Sequence, residues 1–254
     1  MKQIFVGSTQ RAKLHIAIRH ATLPTKFLLG IVCALLIIVP LSFSKHIFSQ
    51  SMGNMSNVAI IATESGSVGS AVYIGNNYLL TAAHVVDDMI LNELCLVRFE
   101  DPNETSEDGY IYTVAELMAI GNFIGTNDAS EDFALLHICY LDASRYTQAC
   151  PLGNDSQVKV KDNVNVIGYP AGSFNITAGV VGNIKGGITG VSDLIVVDAK
   201  ANPGNSGGAL VNANGQLIGI VTSIGAKHGV NDDQTYALKI GKIKSALVAK
   251  GFQL

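Results

Sequence analysis

A chain of 254 residues with 48% hydrophobic and 15% charged side chains, and 26 glycines against 6 prolines, is long enough to bury its own core and too apolar to be a disordered, collagen-like or coiled-coil chain. Charge is split unevenly: residues 1–63 hold six of the 17 Lys/Arg and none of the 20 Asp/Glu, so the remainder carries 11 basic against 20 acidic groups, a net of −9. That field repels a phosphate backbone and excludes nucleic acid as a partner. The four cysteines, Cys33, Cys95, Cys139 and Cys150, include no CxxC pair, so no metal site is expected. Of the last three, Cys139 and Cys150 are nearest in sequence; one disulfide plus a free thiol, and buried free thiols throughout, both remain open.

The N-terminal residues 1–26 are basic, with Lys2, Arg11, Lys13, Arg19 and Lys26. Residues 27–43 follow as an uncharged apolar run, FLLGIVCALLIIVPLSF, bracketed by Lys26 and Lys45. At about 1.5 Å per residue this run spans about 25 Å, close to the roughly 30 Å hydrocarbon core, and the flanking lysines can snorkel to cover the deficit. The run is therefore read as a transmembrane or signal-anchor helix, a membrane contact through residues 27–43. The positive-inside rule keeps the N-terminus cytoplasmic and places the rest on the non-cytoplasmic side. A cleaved signal peptide is the rival, since Pro40 would end the helix and Ser42-Phe43-Ser44 has a small-x-small pattern; an organellar transit peptide is a more distant one. Residues 44–57, polar and rich in small side chains, suit a linker, and residues 58–254 form the globular domain.

From Val58 onward, short segments rich in Val, Ile, Leu and Tyr recur between turn signals: VAIIAT, SAVYIG, YLLTAA, LCLVRF, YIYTVAEL, FALLHI, VNVIGY, AGVVGNI, LIVVDA, GALVN and LIGIVTS. Gly75-Asn76-Asn77 and Asn212-Ala213-Asn214-Gly215 punctuate them as hairpin turns. Strands at this spacing without amphipathic helices between them predict an all-β barrel or sandwich. Only the end reads as a helix, with Ile240, Ile243, Leu247 and Val248 at helical spacing and Gly251 placed to stop it.

Three segments carry reactive groups, in the order His, Asp, Ser. Leu80-Thr81-Ala82-Ala83-His84-Val85 sets a histidine after an apolar strand, Asp132-Phe133-Ala134-Leu135-Leu136 opens a strand with an aspartate, and Asn202-Pro203-Gly204-Asn205-Ser206-Gly207-Gly208 sets a serine among glycines. A serine hydroxyl is a poor nucleophile until an imidazole takes its proton. The imidazole needs a carboxylate on its other nitrogen to hold the tautomer, a role open to Asp132. Glycines let the backbone turn so that the amides of Gly204 and Ser206 face one developing oxyanion. Singly, each segment has an ordinary structural reading.

LTAAHV, DFALL and PGNSGGALV in this order resemble the trypsin-like serine peptidase superfamily, most closely its HtrA/DegP branch. GSVGSAVYIGNNYLLTAAHVV, VNVIGYPAG, VVDAKANPGNSGGALVNANGQLIGIVTS and YALKIGKIKSALVAKGF extend the resemblance over nearly all of 58–254. It implies two six-stranded antiparallel β-barrels with the active site between them and a C-terminal helix. It further implies a catalytic triad of His84, Asp132 and Ser206, oxyanion amides on Gly204 and Ser206, no cofactor, and a protein or peptide substrate. By position relative to the serine, Lys200 is expected near the base of the S1 pocket, and Thr222, Ser223 and Ile224 along the edge that pairs with an extended peptide. Tyr169-Pro170-Ala171-Gly172 and Gly186-Gly187 are expected as loops near the cleft. His137 reads as a solvated strand position, and His228 as a turn residue.

Two departures stand out. HtrA relatives usually continue into PDZ domains, whereas this chain stops at the helix, so peptide-triggered control through such a domain in the same chain is not expected. Asn205 stands where digestive relatives place the aspartate that captures a new N-terminus, so no zymogen cleavage is expected. Relatives often trimerise through N-terminal contacts, but that segment here is short and tied to a membrane element, which leaves a homo-oligomer open. The expected function is a serine endopeptidase acting on unfolded or exposed protein segments. Its rivals are a silent peptidase fold that holds polypeptides and a serine esterase, which would more often use a GxSxG elbow.

Overall fold

Side chains that alternate between two faces of a strand can serve two cores at once, and most of the strands here do so. The computed structural model describes residues 57–101, 106–123, 129–185, 193–222 and 234–254. The basic segment, the apolar run at 27–43 and the linker up to residue 56 lie outside the described residues. Among those described, no helix is long and apolar enough to cross a membrane.

The first six strands are β1 Val58–Ala62, β2 Val68–Gly75, β3 Tyr78–Thr81, β4 Leu94–Glu100, β5 Tyr110–Ile120 and β6 Ala134–Cys139. They close into an antiparallel barrel in the order β1-β2-β3-β6-β5-β4. β7 Asn163–Gly168, β8 Asn175–Asn183, β9 Leu194–Val197, β10 Ala209–Asn212, β11 Leu217–Thr222 and β12 Thr235–Lys239 close a second in the order β10-β11-β12-β9-β8-β7. Closure removes exposed sheet edges. Among the described residues the fold is all-β, with two six-stranded barrels and a C-terminal helix, as expected. The strand absent from the sequence reading is β12. It runs into helix α1, Ile240–Ala249, with no turn between them, so a helical periodicity that starts at Ile240 hides the strand before it.

Each barrel fills its lumen from all six strands. Ala59, Ala71, Leu79, Val97, Ala115 and Leu136 meet inside the first, and Val164, Val181, Ile195, Leu210, Ile218 and Ala237 inside the second. The opposite faces of β1, β2, β3, β6, β7, β9, β10, β11 and β12 bury a third layer, including Ile60, Leu80, Leu135, Ile167, Val196 and Leu238, which joins the two barrels and receives α1 through Ile240, Ile243 and Leu247. Full burial of each such side chain stabilises the fold by about 1.5–3 kcal/mol relative to exposure.

A bulge in β5 redirects one strand between these layers. Leu117 lies opposite Leu136 and Ala119 opposite Leu135, with Met118 extra between them, so the faces swap and Ala119 enters the inter-barrel layer. The strand then leads to Gly121, whose amide donates to the Phe133 carbonyl at 2.8 Å, beside Asp132. Helix α1 is tied to the same region. Asp155 accepts the Gly241 amide at 2.7 Å in its first turn, Lys242 lies 3.5 Å from Glu131, and Gly251, at φ +92, follows its end.

Cys95, Cys139 and Cys150 are free thiols, which decides the open disulfide question. Burial pushes the Cys95 thiol up to about 12 and the Cys150 thiol up to about 11, against about 8.5 in an unfolded chain. Both are therefore neutral in the fold where the unfolded chain has already lost its thiol protons, and that difference favours unfolding as pH rises. The urea midpoint is expected to fall progressively from about pH 9 to about pH 11. Cys95→Ala/Cys150→Ala, measured over the same range, should flatten that slope.

Candidate active site

The register of one strand pair brings His84 and Asp132 together. Thr81 at the end of β3 lies opposite Ala134 at the start of β6. The chain just beyond Thr81, a 3-10 turn at Ala83–Val85, therefore meets the chain just before Ala134. Asp132 is fully buried and its carboxylate is saturated with donors. It accepts the His84 backbone amide at 3.0 Å and His84 Nδ1 at 2.9 Å and 3.1 Å through its two oxygens. The Thr222 hydroxyl, from the end of β11 in the other barrel, donates to Oδ2. A neutral imidazole that donates from Nδ1 keeps its lone pair on Nε2, and the ring remains partly open to solvent with Phe123 tilted beside it at 6.1 Å.

The Ser206 loop is ordered through its carbonyls. Pro203 O accepts from the Ala171 amide at 3.1 Å, Asn205 O from the Gly208 amide at 2.8 Å, and Ser206 O from the Ser70 amide at 2.8 Å. Gly204 O accepts from the Ser70 hydroxyl at 2.7 Å. Each carbonyl from 203 to 206 is thereby turned to a partner. A trans peptide points its N–H opposite to its C=O, and among the described residues the amides of Gly204 and Ser206 have no acceptor. Gly204 has φ +103, and a Cβ there would sit 2.5 Å from Tyr169 O. Gly207 has φ +81, and a Cβ would sit 2.1 Å from Ser70 O and 3.1 Å from the Ala82 amide. The loop is thus packed against the segment that leads into His84.

A turn from the second barrel supports this loop. Tyr169 is buried and opens the 3-10 turn Pro170–Gly172, which supplies the Ala171 amide. Arg98 of β4, buried and stacked at 4.2 Å over the Tyr110 ring, donates to Gly172 O at 2.9 Å. The first barrel therefore holds the turn that holds the serine loop, and the sequence carried no signal for this use of Arg98.

The remaining predicted positions divide. Lys200 is exposed just beyond β9, next to Ala199, whose carbonyl accepts the Thr235 hydroxyl. Thr222 is buried, with its hydroxyl on Asp132, a contact the sequence reading did not anticipate. Ser223, Ile224, Gly186, Gly187 and His228 lie outside the described residues. His137 is half-buried, edge-on to Tyr78 at 5.2 Å, and lines a shallow cavity of about 320 Å³ with Asn77 and Asp142, none of which belongs to the His84 cluster. Among the described residues no group of three His, Cys, Asp or Glu side chains could hold a metal ion.

Residues 69–220, which contain His84, Asp132, Gly204 and Ser206, match the profile of the trypsin-like peptidase domain. The chain belongs to that family. It is 31% identical over 209 residues to the periplasmic serine endoprotease DegP of Salmonella typhimurium, covering 80% of this chain and 39% of that one. It is 33% identical over 168 residues to the periplasmic pH-dependent serine endoprotease DegQ of Escherichia coli, covering 64% of this chain and 32% of that one. Among solved structures it is similar to the HtrA-type protease AlgW with a tripeptide, at a TM-score of 0.59 and 29% identity, over 78% of this chain and 62% of that one. AlgW with a decapeptide also gives a TM-score of 0.59, at 26% identity, over 78% and 65%. The chain thus spans about a third of the length of these curated trypsin-like relatives.

Thr222 joins the second barrel to a carboxylate held by the first. Thr222→Val keeps the shape and removes the hydroxyl, leaving Asp132 Oδ2 held by His84 Nδ1 alone and without its tie to the second barrel. A hydrogen bond to a charged group contributes about 1.5–3 kcal/mol, so kcat/KM against a fluorogenic peptide is expected to fall at least roughly 10-fold, with Thr222→Ser restoring most of it.

Proposed function

We propose that this chain is a serine endopeptidase that cuts unfolded or exposed protein segments through an acyl-enzyme, with Ser206 as nucleophile, His84 as base and acid, and Asp132 as orienting carboxylate. The single observation that carries the reading is the Asp132–His84 pair, its carboxylate buried and donor-saturated, on a fold whose serine loop has two amides without an acceptor among the described residues. The active site then lies between the barrels, since His84 and Asp132 come from the first and Ser206 from the second.

The steps follow from proton positions. Ser206 Oγ attacks the scissile carbonyl carbon as His84 Nε2 removes its proton, and Asp132 stabilises the imidazolium without taking the proton itself. The carbonyl oxygen becomes an oxyanion that accepts from the Gly204 and Ser206 amides. Collapse breaks the C–N bond, His84 gives its proton to the leaving amine, and an acyl ester on Ser206 remains. Water then repeats the sequence with His84 as base, releasing the acid and restoring the serine. Among the described residues Lys200 has no carboxylate partner, and we read it as favouring an acidic P1 side chain.

The apolar run at 27–43 and its lysine flanks support a single N-terminal membrane anchor, with the peptidase domain on the non-cytoplasmic side. Two relatives named as periplasmic endoproteases agree with that side.

Two measurements test the reading. The full chain in detergent, treated with a fluorophosphonate, is expected to gain a single adduct by intact mass, absent in Ser206→Ala. Absence of an adduct from folded protein that still binds unfolded polypeptide would replace the peptidase with a holding protein. A peptide-library profile is expected to be enriched for Asp or Glu at P1 and to lose that enrichment in Lys200→Ala; no enrichment, or an unchanged profile in the variant, removes the role of Lys200.

A further inference from the structure

Ser70 lies in β2 of the first barrel and is fully buried. Its amide donates to Ser206 O at 2.8 Å, and its carbonyl accepts the Thr81 hydroxyl at 2.7 Å. Its own hydroxyl donates to Gly204 O at 2.7 Å and accepts the Tyr169 amide at 2.9 Å. One side chain thus touches both segments on which the free amides depend: the serine loop itself and the turn that carries Ala171.

We propose that Ser70 is a positioning residue that sets the oxyanion site from across the barrel interface. The inference rests on the peptidase reading and adds a residue to it. Peptide planarity leaves two torsions at Gly204, and these are fixed once the carbonyls on either side are pinned. The Ala171 amide pins the carbonyl before it, and the Ser70 hydroxyl pins the carbonyl after it. Because the same hydroxyl holds the amide of Tyr169, it also sets the distance between Ala171 and Pro203. A hydroxyl suits this place because it gives one proton and accepts another at a single atom. Alanine there would leave an interior carbonyl and an interior amide without partners, and the loop could satisfy its carbonyl only by turning it.

The test uses the full chain, with active sites titrated so that only competent enzyme is counted. Ser70→Ala is expected to lower kcat roughly 10- to 100-fold and to weaken a peptide boronate, which places an oxygen in the oxyanion site, by a similar factor. KM is expected to stay within about twofold, because the substrate's ground state does not use the two amides to the same extent. A purely structural role would lower the amount of folded enzyme but not kcat per titrated site. A kcat within threefold of the parent, or a rise in KM with kcat and boronate affinity unchanged, overturns the proposal. Should the alanine variant not fold, Ser70→Cys, similar in volume with a weak donor, takes the same test: a reduced kcat at constant KM supports the role, and parental kcat ends it. Parental turnover and the Ser206 adduct are measured alongside. Without them the peptidase reading fails; with them and an unaffected Ser70→Ala, only the positioning role fails.

Discussion

A fully buried carboxylate fixes the relation between the two barrels. Leaving the Asp132 charge unpaired in an apolar interior would cost several kcal/mol, and its oxygens are instead met by donors from two directions. The His84 amide and imidazole come from the first barrel, and the Thr222 hydroxyl from the second. The hydrophobic layer between the barrels supplies most of the cohesion but little direction, since apolar contact is non-directional. The polar ties select one docking among those that layer would permit.

The backbone donors in the serine loop are organised by the same logic. A free amide is an expensive feature in a protein interior, where nearly all backbone groups are paired. Gly204 and Ser206 are only partly buried, so water can meet their amides in the absence of substrate and the cost is modest. What must be prevented is rotation of the neighbouring carbonyls into the same space. Ala171, Ser70 and Gly208 prevent it by accounting for every carbonyl from Pro203 to Ser206. Two of those three partners lie far from the loop in sequence, so the loop's conformation is a product of tertiary structure and not of its glycines alone. The glycines permit the turn, and the partners select it.

This explains which parts of the molecule were readable in the sequence. Strands announce themselves through local composition and turn residues, and eleven of the twelve among the described residues were recognised that way. β12 escaped because it passes directly into α1. The bulge at Met118 escaped because a face swap is a property of the pairing partner β6 and leaves no local mark in β5. The pairing of His84 with Asp132 and the glycine turn around Ser206 were legible because the proposed chemistry demands particular residue types at those points. Thr222 was singled out for an edge role from its position near the serine in sequence, whereas the hydroxyl's actual partner is 90 residues away. Ser70 and Arg98 had no sequence signal: a serine and an arginine within strands have ordinary local readings, and their uses appear only once the barrels are docked.

The distribution of ties across the interface couples assembly to chemistry. The first barrel supplies His84 and Asp132, and also Ser70 and Arg98, which hold the second barrel's serine loop and its supporting turn. The second barrel supplies Ser206, and also Thr222, which holds the first barrel's carboxylate. Each barrel therefore braces reactive groups carried by the other. A small separation of the two would release Asp132 from Thr222 and Gly204 from Ser70 together, disordering the proposed base and the proposed oxyanion amides in a single event. On the proposed reading, exposure of a reactive serine requires the fully docked fold. A partly folded chain, with its own unfolded segments nearby as substrates, would then lack the assembled geometry needed to cut them.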